Sequence, residues 1–406
     1  MSTPRPAGTL AGLAPWKMRL AVAAAFTAPG FMVRVNGGTA SPPIQVVVYG
    51  AAVIGAAFIL AWACEAAQVD FASGLVVSAV AFVAILPEFI VELHFAFAGR
   101  TDYVSANLTG ASRLLLGFCV AMPAAVALLP ARRRPPPLGP IRLDQANRLE
   151  LAILALAALW AVRGAVTGHL TLLDSVVLIG LYVLYLRRAA KGGGELPPPG
   201  GVAASLAELP KAERRRWVGG LMAFSAFVIL LTAVPFGDSV IATGGLIGIS
   251  PYLVLQWLVP VATEMPELVV AFVLLTHRRG GQAMAVLLAG AVSQYTLALG
   301  TLPLAYRAGA GSGPLPLRGA ERIELFLTVG VALFAVAALI TLRLSRADAS
   351  LMLVLFAAQF VLPIGGTRLA IAVVFSTLAV DILVSQRRQL RLLLRALRPT
   401  GRESPP

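Results

Sequence analysis

The sequence predicts an all-α polytopic membrane protein of about 11–12 transmembrane helices, built as two inverted five-helix repeats with flanking helices. Three observations predict it. Of 406 residues, 58% are hydrophobic and only 13% are charged, and the mean hydropathy is +0.83, a balance that a water-facing globular surface does not tolerate. Apolar stretches close to the roughly 20 residues that cross a bilayer recur along the whole chain. The same Pro-Glu step occurs once in each half, inside segments of matching order.

Taken in order, the apolar runs predict helices near residues 18–35, 45–66, 71–98, 103–129, 147–165 and 170–187, a first half at 18–188 after a tail at 1–17. A second half at 216–386 repeats the number, with helices near 216–236, 250–276, 281–306, 321–343, 348–363 and 367–386. Between them, residues 189–215 hold Gly192 to Gly194, Pro197 to Pro199 and Gly200 with Gly201, a mixture that resists regular structure and reads as a linker. A basic tail follows at 387–406.

The formal net charge of +14 comes from arginines gathered between apolar runs, such as Arg132 to Arg134 and Arg214 to Arg216. No nucleic-acid motif accompanies them, so they read as topology determinants and no nucleic-acid partner is expected. Placing the linker in the cytoplasm puts these runs, Arg279, Arg343, Arg346 and the basic tail on one side, with both termini cytoplasmic; a merely interfacial first run would turn the N-terminus outward. Residues 1–15 lack the pattern of a removable signal peptide. Cys64 and Cys119 lie in apolar runs and suggest neither a disulfide framework nor zinc. Arg-rich, Lys-poor usage suggests a bacterial source and hence the inner (plasma) membrane.

The internal repeat carries the chemistry. Ala84-Ile85-Leu86-Pro87-Glu88 compares with Thr263-Glu264-Met265-Pro266-Glu267, and Gly110-Ala111-Ser112-Arg113 with Gly290-Ala291-Val292-Ser293-Gln294 once one residue is inserted. The interval from Glu88 to Glu267 differs by one from that between Gly110 and Gly290, which argues for duplication of the halves and frames the motif-bearing stretch within each at about 71–130 and 248–306. Five helices per repeat is an odd number, so the copies cross the membrane in opposite senses.

A proline inside a transmembrane helix withholds an N–H and frees backbone carbonyls at membrane depth. A carboxylate there is costly unless it is paired, hydrated or coordinated, so Glu88 and Glu267 are candidate cation ligands. Hard oxygen ligands of this kind suit Na⁺, Ca²⁺ or a proton. Glu92, four residues past Glu88, and Glu264, three before Glu267, either extend the site or snorkel to its edge.

These motifs resemble the sodium/calcium exchanger superfamily of cation antiporters, as a divergent bacterial member. In that family two repeats carry Gly-Thr-Ser-x-Pro-Glu followed by a Gly-Ser-Asn element. The resemblance implies that Glu88 and Glu267 bind the exchanged metal ions, with Thr263 on the motif threonine and Ser112, Ser293 and Gln294 as neutral ligands. Ala84, Ile85 and Glu264 depart from the motif hydroxyls. Arg113 is a further departure. At midplane it is a fixed cation needing a carboxylate, Glu88 or Glu267, and would leave about one net negative charge in the site. Outside the cavity it pairs elsewhere.

The resemblance therefore implies a secondary antiporter with alternating access, exchanging Na⁺, Ca²⁺ or a related cation against Na⁺ or H⁺, with inorganic cations and the bilayer as partners and no cofactor. The alternative is a non-transporting scaffold whose site Arg113 locks. An enzyme is not expected, since His94, His169 and His277 are scattered and no metal or phosphate constellation appears.

Overall fold

The computed structural model describes residues 15–67, 69–70, 86–127, 141–189, 199–276, 279–361 and 365–397. Wherever the described sequence runs apolar, it is helical, because a backbone without water must bond to itself. The first half holds α1 (Pro15–Val35), α2 (Pro42–Ala67), α3 (Leu86–Phe97), α4 (Thr101–Ala127), α5 (Arg148–Thr167) and α6 (Leu172–Ala189). A short α7 (Gly201–Ala207) leads to the second half. There α8 (Lys211–Leu246), α9 (Pro251–Thr263), α10 (Met265–Thr276), α11 (Gly280–Ser293) and α12 (Leu299–Gly309) precede α13 (Gly319–Leu339), α14 (Arg346–Val361) and α15 (Gly365–Ser385), and α16 (Arg387–Arg395) lies in the basic tail.

Among the described residues eight helices are singly long and apolar enough to cross a membrane, or nine if α9 and α10, which meet at a 60° bend, form one crossing. The expected helix at 71–98 is described only from Leu86 onward, so Ala84 and Ile85 lie outside the described residues, as do Arg132 to Arg134. The linker differs from expectation. Its apolar residues Val202, Ala203 and Leu206 are buried against α1 and α2, and that burial makes a helical turn of a stretch rich in glycine and proline.

Two short strand pairs show how the halves are set against each other. Between α4 and α5, β1 (Ile141–Arg142) pairs antiparallel with β4 (Arg343–Leu344), which lies between α13 and α14. Between α5 and α6, β2 (His169–Leu170) pairs with β3 (Leu315–Pro316), which lies between α12 and α13. Successive connections in a helical bundle lie at opposite ends, so a connection of one half meets the following connection of the other only if the halves are inverted. The offset from Ile141 to Leu315 equals that from His169 to Arg343. It also relates two matching helix caps, Thr171 bonding Asp174 and Ser345 bonding Asp348.

The helix α13 runs through the middle of this arrangement, buried on almost every side. Close helix contact is achieved by small residues, as membrane packing without a hydrophobic drive requires. Gly110 of α4 lies against the backbone carbonyl of Gln256 on α9, where any side chain would strike the peptide itself. That approach brings α4 and the broken α9–α10 pair together around the site.

Candidate ion-binding site

The break between α9 and α10 follows from Pro266, which has no N–H to offer the carbonyl of Ala262. Glu264 sits at the break, with its N–H bonded back to Pro260 at 2.9 Å. Its side chain is 3% exposed. Across the site, α3 presents Glu88 and Glu92 on one face, as their spacing of four requires. They are 1% and 0% exposed.

Two side-chain amides tie these carboxyl groups together. Gln294 Nε2 donates to Glu88 Oε2 at 2.6 Å and to Glu264 Oε1 at 3.0 Å. Asn107 Nδ2, from α4, lies 3.4 Å from both Glu88 Oε1 and Glu92 Oε1. Because one nitrogen bonds both, Glu88 and Glu264 lie side by side. Glu267, in the first turn of α10, is half-buried and stands near Glu264 and near Cys64 of α2.

Four oxygens around this cluster, Glu92 Oε2, Asn107 Oδ1, Gln294 Oε1 and Glu267 Oε2, are buried with no hydrogen-bond partner. Buried polar atoms are almost always bonded, so a group of bare acceptors with no donor is what a hard cation or added protons would complete. Among the described residues no three acidic or metal-binding side chains form a closed metal cage. The carboxyls are instead arranged as amide-bridged pairs.

Gln294 reaches both repeats because of a local irregularity. Residues Gln294–Ala298 form a π turn between α11 and α12. A π turn accommodates one extra residue in an α-helix, and this one opens at Gln294 itself. The hydroxyls beside it are committed to backbone: Ser293 donates to Ala289 at 3.2 Å, and Thr263 is 3.1 Å from the carbonyl of Val259. Ser112 is buried on α4, one turn beyond Asn107.

Arg113 does not face Glu88 or Glu267, which corrects that expectation. It follows Asn107 by six residues, about 240° further round the helix, and so points away from the carboxyl cluster. Its Nη2 lies 2.7 Å from Glu324 of α13, its Nη1 donates to Gln359 at 3.1 Å and its Nε to the carbonyl of Thr109 at 2.9 Å. Arg368 of α15 also pairs with Glu324, and Gln256 donates to it at 2.9 Å. All five side chains are buried. Two arginines on one glutamate form a second, separate network that joins α4, α9, α13, α14 and α15.

Asn107, Glu324, Gln359 and Arg368 lie outside the repeat motifs that single out the other site residues. Glu324 and Arg368 were detectable as charges inside apolar helices, which are functional or paired by default. Their mutual pairing was not, because no periodicity relates α13 to α15.

Comparisons with known proteins accord with this geometry. The family described as "Sodium/calcium exchanger protein" matches residues 42–190 and 217–365. The two matched segments take in α2 to α6 and most of α8 through α14, and leave α1 and most of α15 as flanks. A solved structure of an H⁺/Ca²⁺ exchanger, CAX, is similar with a TM-score of 0.86 and 31% identity, over 94% of this chain and 98% of that one. Structures of the sodium-calcium exchanger NCX_Mj soaked with Na⁺ and Sr²⁺ share the fold, with TM-scores of 0.52 and 0.53, 16% and 17% identity, and coverage of 84% of this chain and 99% of theirs. No curated protein sequence matches the chain.

Proposed function

The chain belongs to the sodium/calcium exchanger family, and from that premise we propose that it is a secondary antiporter exchanging Ca²⁺ for protons across a bacterial plasma membrane. The observation that carries the reading is the pairing of Glu88 with Glu264 through Gln294 Nε2. Two buried carboxylates at such close quarters need a cation or protons between them. Ca²⁺ supplies two positive charges and draws on the bare oxygens of Glu92, Asn107, Gln294 and Glu267. Two protons neutralise the same charge on the return step, so the site stays balanced in both halves of the cycle.

Protons are favoured over Na⁺ by what lines the site. A Na⁺ site needs several neutral oxygens, and Glu264 stands where the family motif has a hydroxyl, which puts a titratable ligand in the place of a neutral one. The similarity to a structure titled as an H⁺/Ca²⁺ exchanger supports the same choice. Arg113 is engaged by Glu324 and Gln359, away from the carboxyl cluster, which supports transport over a scaffold locked by Arg113.

Alternating access requires one helix group to move against another around a fixed site. Helices α2 and α8, the first of each repeat, pack along one another beneath α1 and form one such group. The cytoplasmic assignment of both termini rests on the arginine distribution.

The test is ⁴⁵Ca²⁺ uptake into proteoliposomes under an imposed pH gradient and, separately, an imposed Na⁺ gradient at constant pH. The reading expects uptake with an acidic lumen and no Na⁺. Uptake that follows Na⁺ alone would make the chain a Na⁺/Ca²⁺ exchanger, and absence of flux under both would return the scaffold.

A further inference from the structure

Helix α6 presents a concave apolar strip to its surroundings. Leu172, Val176, Ile179, Gly180 and Val183 recur at helical spacing, and with Leu304 of α12 they line a groove of about 650 Å³ that runs four turns and ends at Arg187. Gly180 makes the hollow: a Cβ placed there meets nothing within 4 Å. Val176 is 71% exposed, so nothing among the described residues fills the strip.

The end of the groove at Arg187 is strongly basic. Arg188 donates to the carbonyls of Ala396 at 3.3 Å and Leu397 at 2.7 Å, which docks the C-terminal end of α16 onto the end of α6. Arg148 of α5 donates to Gln389 at 3.3 Å and holds the other end. The helix thus lies across the ends of α5 and α6. It exposes Arg387, Arg388, Arg391 and Arg395 and contains no acidic residue. Leu393 is buried beneath it, while Leu392 and Leu394 are exposed beside the arginines, the composition of a helix lying in a bilayer interface.

We propose that this groove binds one anionic phospholipid, its acyl chain along α6 and its phosphate held between Arg187 and the arginines of α16. An apolar trough alone would accept any lipid tail. The cluster of guanidinium groups at its mouth selects the charge, because guanidinium pairs with phosphate oxygens bidentately and juxtamembrane arginines attract anionic headgroups. The proposal is independent of which cations are exchanged.

The experiment is native mass spectrometry of the full chain in detergent doped with equal amounts of phosphatidylglycerol and phosphatidylcholine. Preferential retention of phosphatidylglycerol is expected. Arg187→Gln combined with Arg391→Gln should reduce it about fivefold for each arginine removed. Gly180→Phe should displace it while leaving every charge in place, and Val380→Phe on the exposed face of α15 should leave it unchanged. Equal retention of both lipids, or retention indifferent to both Arg187→Gln/Arg391→Gln and Gly180→Phe, overturns the proposal. So does efficient disulfide cross-linking of Gly180→Cys between two copies, which would make the strip a contact between chains.

Discussion

Gln294 donates to Glu88 at 2.6 Å although the two residues belong to different repeats. The same nitrogen reaches Glu264, so one amide fixes the separation of the two carboxyl groups. Gln294→Ala removes that tie without removing a carboxylate. Loss of an orienting group around a metal ligand typically costs 10–100-fold in affinity or activity. The half-saturating Ca²⁺ concentration for uptake should rise by about that factor, and an unchanged value would show that Gln294 is packing only.

Arg113 and Glu324 form a buried pair outside the ion site, with Arg113 fully buried. Removing one partner of such a pair leaves a bare charge, at a cost of about 3–5 kcal/mol. Glu324→Gln should lower the unfolding temperature in detergent sharply, because it strands both Arg113 and Arg368. Arg113→Met leaves Arg368 to neutralise Glu324 and should cost less. If Glu324→Gln instead abolishes Ca²⁺ binding at unchanged stability, the network belongs to the site.

Gly110 is confined by the backbone of Gln256, which cannot move as a side chain can. Gly110→Ala must therefore push α4 from α9 and spread Asn107 from Glu264's side of the site. Poor folding or loss of transport is expected, whereas Gly219→Ala, on an open stretch of α8, should behave as wild type.

Asp70, just beyond α2, is held below the ordinary carboxylate value of 3.8 by its hydrogen bonds from Arg214, with the nearby charges of Arg215 and Lys211 adding to them. A folded-state value below the unfolded one means that the link stabilises the protein at neutral pH and is lost as pH falls through the folded value. Asp70→Asn should thus lower the unfolding temperature at pH 7. The difference from wild type should shrink as the pH is taken below 3.8.

The parts of this molecule legible in its sequence are those carried by period and repetition. Apolar length located the helices, and the paired Pro-Glu steps located Glu88, Glu92 and the α9–α10 break. Gln294 was within reach because its repeat could be aligned. Asn107 was not, since it precedes the glycine used for that alignment and is a single amide in an apolar run. Arg113 was left with two placements, inside the site or paired elsewhere, because motif alignment assigns a position along a helix but not which of its faces meets the cavity. The small helix α7 was obscured by the prolines and glycines that lead into it, whose local preference the burial of Val202 and Leu206 overrides.

The central claim is that Ca²⁺ and protons compete for the carboxyls of Glu88 and Glu264. It is tested most directly by adding Ca²⁺ to the purified protein in weakly buffered solution and counting released protons with a pH dye, for wild type, Glu264→Gln and Glu88→Gln. The account predicts protons released on Ca²⁺ binding by wild type and fewer by each variant. Ca²⁺ binding with no proton release, or release unaffected by Glu264→Gln, would contradict it.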